Sequence, residues 1–533
     1  MDAGELSRED LEGMLQSYRQ RKKYHRLKNG DFMELEDNGL AVISELADGL
    51  NLKAKEISGG SATIPKYRAF YLDQVLKNEG TQVHRDTSFK SMIRNMKDVE
   101  DSDYEVPVSL KKVMRNYQKT GFRWLCTLDS MGFGGILADD MGLGKTLQII
   151  AFLLKKKESG QKKAPSLIVC PASLVYNWES EIEKFASDLR VCVLAGGMSE
   201  RRELLKSYED FDVIVTSYDL LKRDIEEYQD KQFFAQVIDE AQNIKNHITQ
   251  ASKAVKCIRA DVKFALTGTP IENRLSELWS IFDYLMPGML SSYEKFKTGY
   301  ETPIVQAKDE IVTGRLQKMI KPFILRRLKS EVLKDLPEKE ENVIYSKLEG
   351  EQNELYRANV NKLLETLNHT SNEEFQTGKI QLLAQLTRLR QVCCATSLVY
   401  ENYKGDAAKM DTCMELIKNA VEGGHKILVF SQFTSLFVLL EKELAKEKIK
   451  NYKLTGATAK SKRAQLVAEF NENNVPVFLI SLKAGGTGLN LTGASIVIHF
   501  DPWRNVAAQN QATDWAHRIR QKNTVSDYKL IDN

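Results

Sequence analysis

An α/β fold built as two doubly wound parallel sheets is predicted by three observations. Short apolar runs recur along the chain, each stopping at a polar or glycine-rich signature and each followed by a helix-length segment. The series occurs twice, before about residue 290 and after about residue 405, with a long, charged stretch of helical period between. In the first series, GGILADDMGLGKT at Gly134 to Thr146 places a glycine-rich loop between a strand and a helix, an arrangement that grips phosphate.

Residues 1–105 read as an α+β accessory region. Tyr24 to Leu27 and Phe32 to Leu35 flank Asn29-Gly30, a hairpin signal, and Leu40 to Leu50 has helical spacing. The basic stretch Arg19 to Lys28 reads as a solvated face. A first lobe spans 106–290. It opens with an expected helix over Leu110 to Leu128, centred on Tyr117-Gln118, whose Gln118 amide can offer a donor and an acceptor to an adenine edge. In the phosphate loop, Asp140, Met141, Gly142, Leu143 and Gly144 supply backbone N–H groups. Lys145 reaches the β/γ-phosphates and Thr146 offers a hydroxyl to Mg²⁺. Asp139 stands where the strict pattern has glycine.

The next strands, Ser166 to Cys170 and Val213 to Val215, end at Pro171-Ala172-Ser173 and Thr216-Ser217, delivering short hydroxyls to the carboxyl edge where open α/β sheets bind ligands. Phe234 to Ile238 ends at Asp239-Glu240-Ala241-Gln242. Two adjacent carboxylates at the end of a buried strand are costly to desolvate unless they work. Asp239 is placed to hold Mg²⁺ through water, and Glu240 to orient and deprotonate an attacking water. Phe264 to Leu266 ends at Thr267-Gly268-Thr269-Pro270, and a helix follows.

Residues 291–405 read as a helical connector and protrusion, poor in strand signals. Arg326-Arg327 and Arg388, Arg390 face either phosphates or the packing between helices. In 406–533 the strands return: Lys426 to Phe430 ending at Ser431-Gln432, Tyr452 to Leu454, Val477 to Ile480 ending at Ser481 and a glycine-rich turn to Gly488, and Ile496 to Phe500 ending at Asp501-Pro502-Trp503. Two similar lobes with one phosphate loop put the nucleotide between them.

Lys and Arg number 76 against 73 Asp and Glu, a net charge of +3, so nucleic-acid contact must come from a local groove. The 7 cysteines form no CxxC pair and mostly lie in apolar segments, reading as buried thiols of a reducing compartment. No apolar run suggests a membrane span, and the expected setting is intracellular with no membrane partner.

Taken in order, DDMGLGKT, DEAQ, LTGTPIEN, SQFTS, SLKAGGTGLNLTGA and NQATDWAHRI resemble the Swi/Snf-type ATPases of helicase superfamily two over residues 106–531. The resemblance implies two RecA-like lobes, ATP and Mg²⁺ as cofactors, and translocation along double-stranded DNA without strand separation, remodelling nucleoprotein. It implies that Gln118 reads adenine, that Gly488 joins the nucleotide site, and that Gln242, Thr267, Gly268 and Thr269 couple hydrolysis to movement. Arg518 is then an arginine finger, with Gln511 beside it in the catalytic set. Pro171, Ser173, Thr216, Ser217, Ser431, Gln432 and Ser481 would line a DNA groove, contacting phosphates without reading sequence. DNA-bound proteins or RNA polymerase are the further partners implied. The accessory region resembles the associated domain of bacterial members, favouring a bacterial, nucleoid-associated cytoplasmic protein; a eukaryotic member would be nuclear.

Departures from the family pattern fall near the carboxyl end, at Arg504, Trp515 and Arg520. Trp515 stands where the family has an arginine facing the nucleotide. Helical spacing puts Gln511, Asp514, Trp515 and Arg518 on one face, so slow hydrolysis is expected, and an ATP-sensing DNA scaffold is the alternative function. An RNA-unwinding relative is disfavoured by LTGTPIEN and the long connector. The end at Asn533 is expected to mark a piece of a longer protein.

Overall fold

The computed structural model describes residues 8–20, 22–35, 38–50, 52, 56, 61–78, 84–160, 164–268, 274–333, 337, 339–368, 379–403, 405, 407–482, 489–503, 506–519, 521 and 523–532. They divide into two compact units. The first comprises Met1–Asp139, Lys145–Cys170 and Glu179–Arg326, and the second Asp140–Gly144, Pro171–Trp178 and Arg327–Asn533.

In the first unit the accessory region contributes a hairpin, β1 (Tyr24–Arg26) against β2 (Phe32–Glu34), turned at Gly30 with φ 99°. Helices Asn38–Leu50 and Arg68–Asn78 follow. The region is fastened to the end of the first lobe by Arg68, which is buried, and to the segment after it by Arg315, which is half-buried. Arg68 donates to the carbonyls of Gly49 and Met289, each at 2.7 Å, and Arg315 meets the Glu45 carboxylate at 2.7 Å.

The first sheet holds β3 (Gly135–Leu137), β4 (Ser166–Cys170), β5 (Val191–Val193), β6 (Val213–Ser217), β7 (Gln232–Asp239), β8 (Arg259–Leu266) and β9 (Ile324–Leu325). Their order is β5-β6-β4-β7-β8-β3-β9, parallel throughout. The central strands β4 and β6 are buried along their whole length, as a sheet covered on both faces requires. Register decides where chemistry can gather: Asp239 lies beside Leu266, and Leu266 beside Leu137. The chain therefore leaves β7 at Glu240, β8 at Thr267 and β3 at Ala138 on one level of one edge.

The second unit's sheet holds β10 (Lys339–Ser346), β11 (Ile427–Ser431), β12 (Asn451–Leu454), β13 (Val477–Ser481), β14 (Ile496–His499) and β15 (Val525–Asp532). The order is β10-β15-β14-β11-β13-β12, again parallel. Alternation splits its core in two: Ile427 and Val429 pack with Leu436, Phe437 and Ile498, while Leu428 and Phe430 pack with Phe478, Val497 and Trp515. Two RecA-like lobes are thus present.

Four strands escape the sequence reading. β9 has two residues, β5 three, and β10 is charged and largely exposed, as edge strands are. Both β9 and β10 fall in the stretch read as a helical connector, which otherwise carries helices such as Gly350–Asn368 and Lys379–Cys394. β15 buries Val525, Asp527 and Leu530, and so looks polar in sequence. The helix expected over Leu110 to Leu128 starts later, at Asn116–Met131, because a single 3-10 turn occupies Val108–Leu110. Among the described residues no helix is long and apolar enough to cross a membrane.

Candidate nucleotide and nucleic-acid site

The phosphate loop takes its shape from two glycines in the left-handed region, Gly142 at φ 83° and Gly144 at φ 75°, where a side chain is strained. Position 139 has no such need. Asp139 is fully buried and its carboxylate accepts from Gln148 Nε2 at 3.1 Å, so an acidic residue replaces the pattern's glycine without opening the loop. The helix Lys145–Glu158 begins at the lysine, placing Thr146 in its first turn. Lys145 Nζ donates to the Asp139 carbonyl at 2.7 Å. These groups suit a nucleotide: a left-handed glycine loop, a helix amino-terminus and a lysine at the first position of that helix. Thr146 and Asp239 add hard oxygen donors of the kind Mg²⁺ takes.

Glu240 is a non-glycine residue in the left-handed region, at φ 52° and ψ 59°. Such a conformation costs on the order of 1–3 kcal/mol and persists where the surroundings impose it. Here Glu240 N–H donates to Asp239 Oδ1 at 2.8 Å, and Asn243 Nδ2 donates to the Glu240 carbonyl at 2.7 Å. Tyr218, buried, donates its hydroxyl to the Asp239 carbonyl at 2.8 Å. The turn aims the carboxylate back along the sheet edge, where Gln242 Nε2 donates to Glu240 Oε2 at 2.7 Å. Gln242 Oε1 in turn accepts from Thr267 Oγ1 at 3.1 Å. Glu240, Gln242 and Thr267 thus form one relay joining the ends of β7 and β8, with Gly268 next in the chain. Thr269 and Gly488 lie outside the described residues, as do Arg504 and Arg520.

Gln118 sits in the first turn of its helix, not at its centre. It is buried, and its Oε1 accepts the N–H of Arg115 at 2.9 Å, so part of its amide closes the helix end.

In the second unit, the helix Val506–Thr513 stops before Asp514, and turns follow. The helical face expected to carry Gln511, Asp514, Trp515 and Arg518 together therefore does not form. Trp515 is 2% exposed and packs edge-on to Phe430, ring centroids 5.5 Å apart. It is a core residue of the second sheet, so the expectation that its side chain faces the nucleotide is corrected: an aromatic ring lowers its free energy by entering the apolar layer. Gln511 is half-buried, and its Nε2 meets no partner among the described residues. Arg518 turns the other way: its Nε donates to the Asp514 carbonyl at 3.1 Å, and a Cβ built on Gly142 would meet its Cγ at 2.9 Å. Its side chain therefore lies on the phosphate loop.

Of the groove residues, Thr216, Ser217, Ser431 and Ser481 are buried. Ser217 caps a helix by accepting from Leu220 N at 3.3 Å, and Ser431 Oγ accepts from Phe433 N at 3.0 Å. The hydroxyls of Ser217 and Ser431 hold turns, and the burial of all four corrects their expected exposure to a groove. Pro171, Ser173 and Gln432 stay half-buried at the sheet edges. Gln432 is held from two sides: its N–H donates to Asp501 Oδ1 at 3.2 Å, and Arg390 Nη1 lies 3.4 Å from its Oε1. Burial lifts the Asp501 carboxyl to about 6. Arg390, 3.5 Å from Asp501, packs over Phe433, choosing between the two roles read for it. All seven cysteines are free, five of them buried.

Sequence reading missed Lys329 and Tyr218. Lys329 follows Ile324-Leu325 as the other signatures follow their strands, but a two-residue strand gives no alternation to notice.

The SNF2-related domain family matches residues 117–398, the bacterial SNF2 helicase associated family residues 1–107, and the helicase conserved C-terminal domain family residues 408–520. YwqA of Bacillus subtilis, named as an ATP-dependent helicase/translocase, is 39% identical over 85% of this chain and 50% of its own length. An uncharacterized ATP-dependent helicase of Mycoplasma pneumoniae is 36% identical over 90% of this chain and 46% of its own. The chain thus spans about half the length of these curated relatives. Among solved structures, the SWI2/SNF2 ATPase core of Sulfolobus solfataricus in complex with dsDNA is 37% identical, covering 81% of this chain and 89% of that one, with a TM-score of 0.43.

Proposed function

Because the chain belongs to the SNF2-related family, we propose that it is an ATP-driven translocase on double-stranded DNA that remodels nucleoprotein. The observation that carries the reading is the strained Glu240 turn and its relay to Gln242 and Thr267, on the same sheet edge as the phosphate loop. Thr146 and, through water, Asp239 would hold Mg²⁺, which when bound would supply charge neutralisation at the phosphates. The loop from Asp140 to Gly144 binds phosphate oxygens through backbone N–H groups, and Lys145 exchanges the Asp139 carbonyl for the β/γ-phosphates. Glu240 accepts the proton of the attacking water while its left-handed backbone fixes the carboxylate, and Gln242 holds the second carboxylate oxygen. Arg518 contributes positive charge to the departing phosphoryl group, a role worth about 10³–10⁵ in rate where it is supplied. Gln511 completes this side of the site, and Gln118 and Gly488 hold the purine and phosphate ends.

Thr267 and Gly268 carry the change at Glu240 into the β8 turn and on to Thr269. We assign direct phosphate contact on DNA to Pro171, Ser173 and Gln432, and a turn-holding role to Ser217 and Ser431; Thr216 and Ser481 are buried at the same strand ends. The finer domain limits, 1–105, 106–290, 291–405 and 406–533, belong to the same proposal, as do a bacterial nucleoid setting and DNA-bound proteins or RNA polymerase as partners. ATPase rate against duplex length tests it, with Lys145→Ala as the inactive control. A translocase speeds up with length and then plateaus; a flat profile, or equal stimulation by RNA, overturns it.

A further inference from the structure

The second unit brings three separated pieces of chain together at Lys329. The residues after β9 run beside the phosphate loop: Asp140 N–H donates to the Arg327 carbonyl at 3.0 Å, and Lys329 N–H donates to Asp140 Oδ2 at 3.0 Å. The Lys329 side chain then leaves in the opposite sense. Its Nζ donates to Asp514 Oδ1 at 2.6 Å and to the His517 carbonyl at 2.7 Å. These two acceptors bracket the turn that presents Arg518, whose own Nε is held by the Asp514 carbonyl at 3.1 Å and whose stem rests on Gly142. The side chain of Lys329 is 12% exposed, so its ammonium is largely withdrawn from water, and burial lowers its pKa despite Asp514. A charge desolvated to this degree needs several aligned acceptors, and here they are a carboxylate and a carbonyl of one short turn. The same turn is anchored next to Arg518 by His517, whose Nε2 is 2.8 Å from the Pro337 carbonyl.

We infer that Lys329 is a positioning residue that fixes the Arg518 turn against the first residue of the phosphate loop. The inference rests on the proposed ATP hydrolysis for its consequence, but not for its geometry. One backbone bond and one bond to the Asp140 carboxylate tie residues 327–329 to Asp140, so a change in the loop on phosphate binding is transmitted through Lys329 to the carbonyl before Arg518. Without the ammonium, Asp514 and the His517 carbonyl lose their shared donor and the turn is free to drift. A misplacement of about 1 Å in such a group costs roughly 100-fold in rate.

The test uses the full chain with Lys329→Met, which keeps the stem length and removes the donors, and Asp514→Asn as a second variant in case the first folds poorly. Two readouts are compared. In hydrogen exchange, amides of residues 514–519 exchange at least 10-fold faster in Lys329→Met, while those of β11 and β13 stay unchanged. In DNA-stimulated ATPase, kcat falls about 100-fold with the Kd for a fluorescent ATP analogue within about twofold, Lys329→Arg restores part of the loss, and Lys329→Met adds nothing in an Arg518→Ala background. Unchanged exchange at 514–519, or a full second loss in the Arg518→Ala background, overturns the inference. Faster exchange in a protein whose wild type hydrolyses no ATP supports the positioning role and overturns the proposed function instead.

Discussion

Replacing Trp515 by arginine, the residue the family pattern would put there, separates the sequence expectation from the structure. If Trp515 faced the nucleotide, the change would restore a cation and raise the rate. In the structure the indole is 2% exposed in the layer with Phe430, Phe478, Ile480 and Val497. Burying a tryptophan removes about 200 Å² from water, which at ~25 cal/mol per Å² stabilises the second lobe by ~5 kcal/mol. Trp515→Arg loses that contribution and adds an ion with no carboxylate in the apolar cluster to receive it, against a total stability on the order of 5–15 kcal/mol for a domain. Trp515→Phe keeps most of the apolar area and forfeits no hydrogen bond, because Nε1 meets no partner among the described residues. The assay is urea unfolding followed by circular dichroism, with ATPase measured on the same preparations. With a slope of about 2 kcal/mol per M, Trp515→Arg lowers the midpoint of the second lobe by at least about 2 M or prevents folding, and Trp515→Phe lowers it by less than about 1 M. Wild-type stability in Trp515→Arg together with a rise in turnover would refute this placement of the side chain.

Glu240→Gln should reduce ATPase by about 10²–10⁴-fold, while a fluorescent ATP analogue still binds; retained turnover would remove Glu240 as the base. Thr267→Val removes the donor to Gln242 Oε1 at 3.1 Å. Losing a hydrogen bond of about 1 kcal/mol should lower the duplex-stimulated rate about fivefold, and stimulation curves at saturating ATP measure it. His499 is buried, and burial together with Lys529 and Lys339 lowers its pKa to about 3. Its folded pKa lies below the unfolded value near 6.5, so the unfolded chain binds more protons between those limits and stability falls as pH drops from 6.5 toward 3. From pH 7 to pH 5 this group alone removes about 2 kcal/mol, and His499→Gln should flatten that part of the slope in urea midpoints taken across the range. An unaltered slope would show that the ring is already protonated beside Asp527.

The sheets were legible because a parallel strand covered on both faces must be continuously apolar and must stop where ligand-binding polar groups begin. Ser166 to Cys170 and Val477 to Ser481 satisfy both conditions and were located to within a residue. The strands that were not legible break one condition. β10 is exposed and charged at an edge, and β15 carries Asp527 into the interior beside His499 and Thr513, so neither shows an apolar run. The phosphate loop, the Asp239-Glu240 pair and Thr267 were legible as strand-end chemistry. Which face a side chain takes after a helix stops was not. Spacing rules applied through Asp514 to Arg518 assume a helix that ends at Thr513, and so they put Trp515 with Arg518 when the turn sends the two to different surroundings.

The buried hydroxyls sharpen what such an edge can do. A serine whose Oγ accepts a backbone N–H still has an O–H to donate. Where the side chain is also buried it is held at the turn, so being a short hydroxyl at a strand end is not ground enough to choose it for a phosphate. Ser217 and Ser431 are in that position, each fixing the start of the segment that follows its strand. The same logic runs through the carboxylates: Asp239 accepts from the backbone of Glu240, the residue after it, and Asp501, beyond β14, accepts from the backbone of Gln432, the residue after Ser431. One arrangement therefore recurs in the two sheets: a buried polar group at the strand end locks the turn, and the next side chain does the outward work. On that rule Glu240 and Gln432 are the residues whose replacement should alter chemistry or nucleic-acid contact, whereas replacing Asp501 or Ser431 should first alter stability.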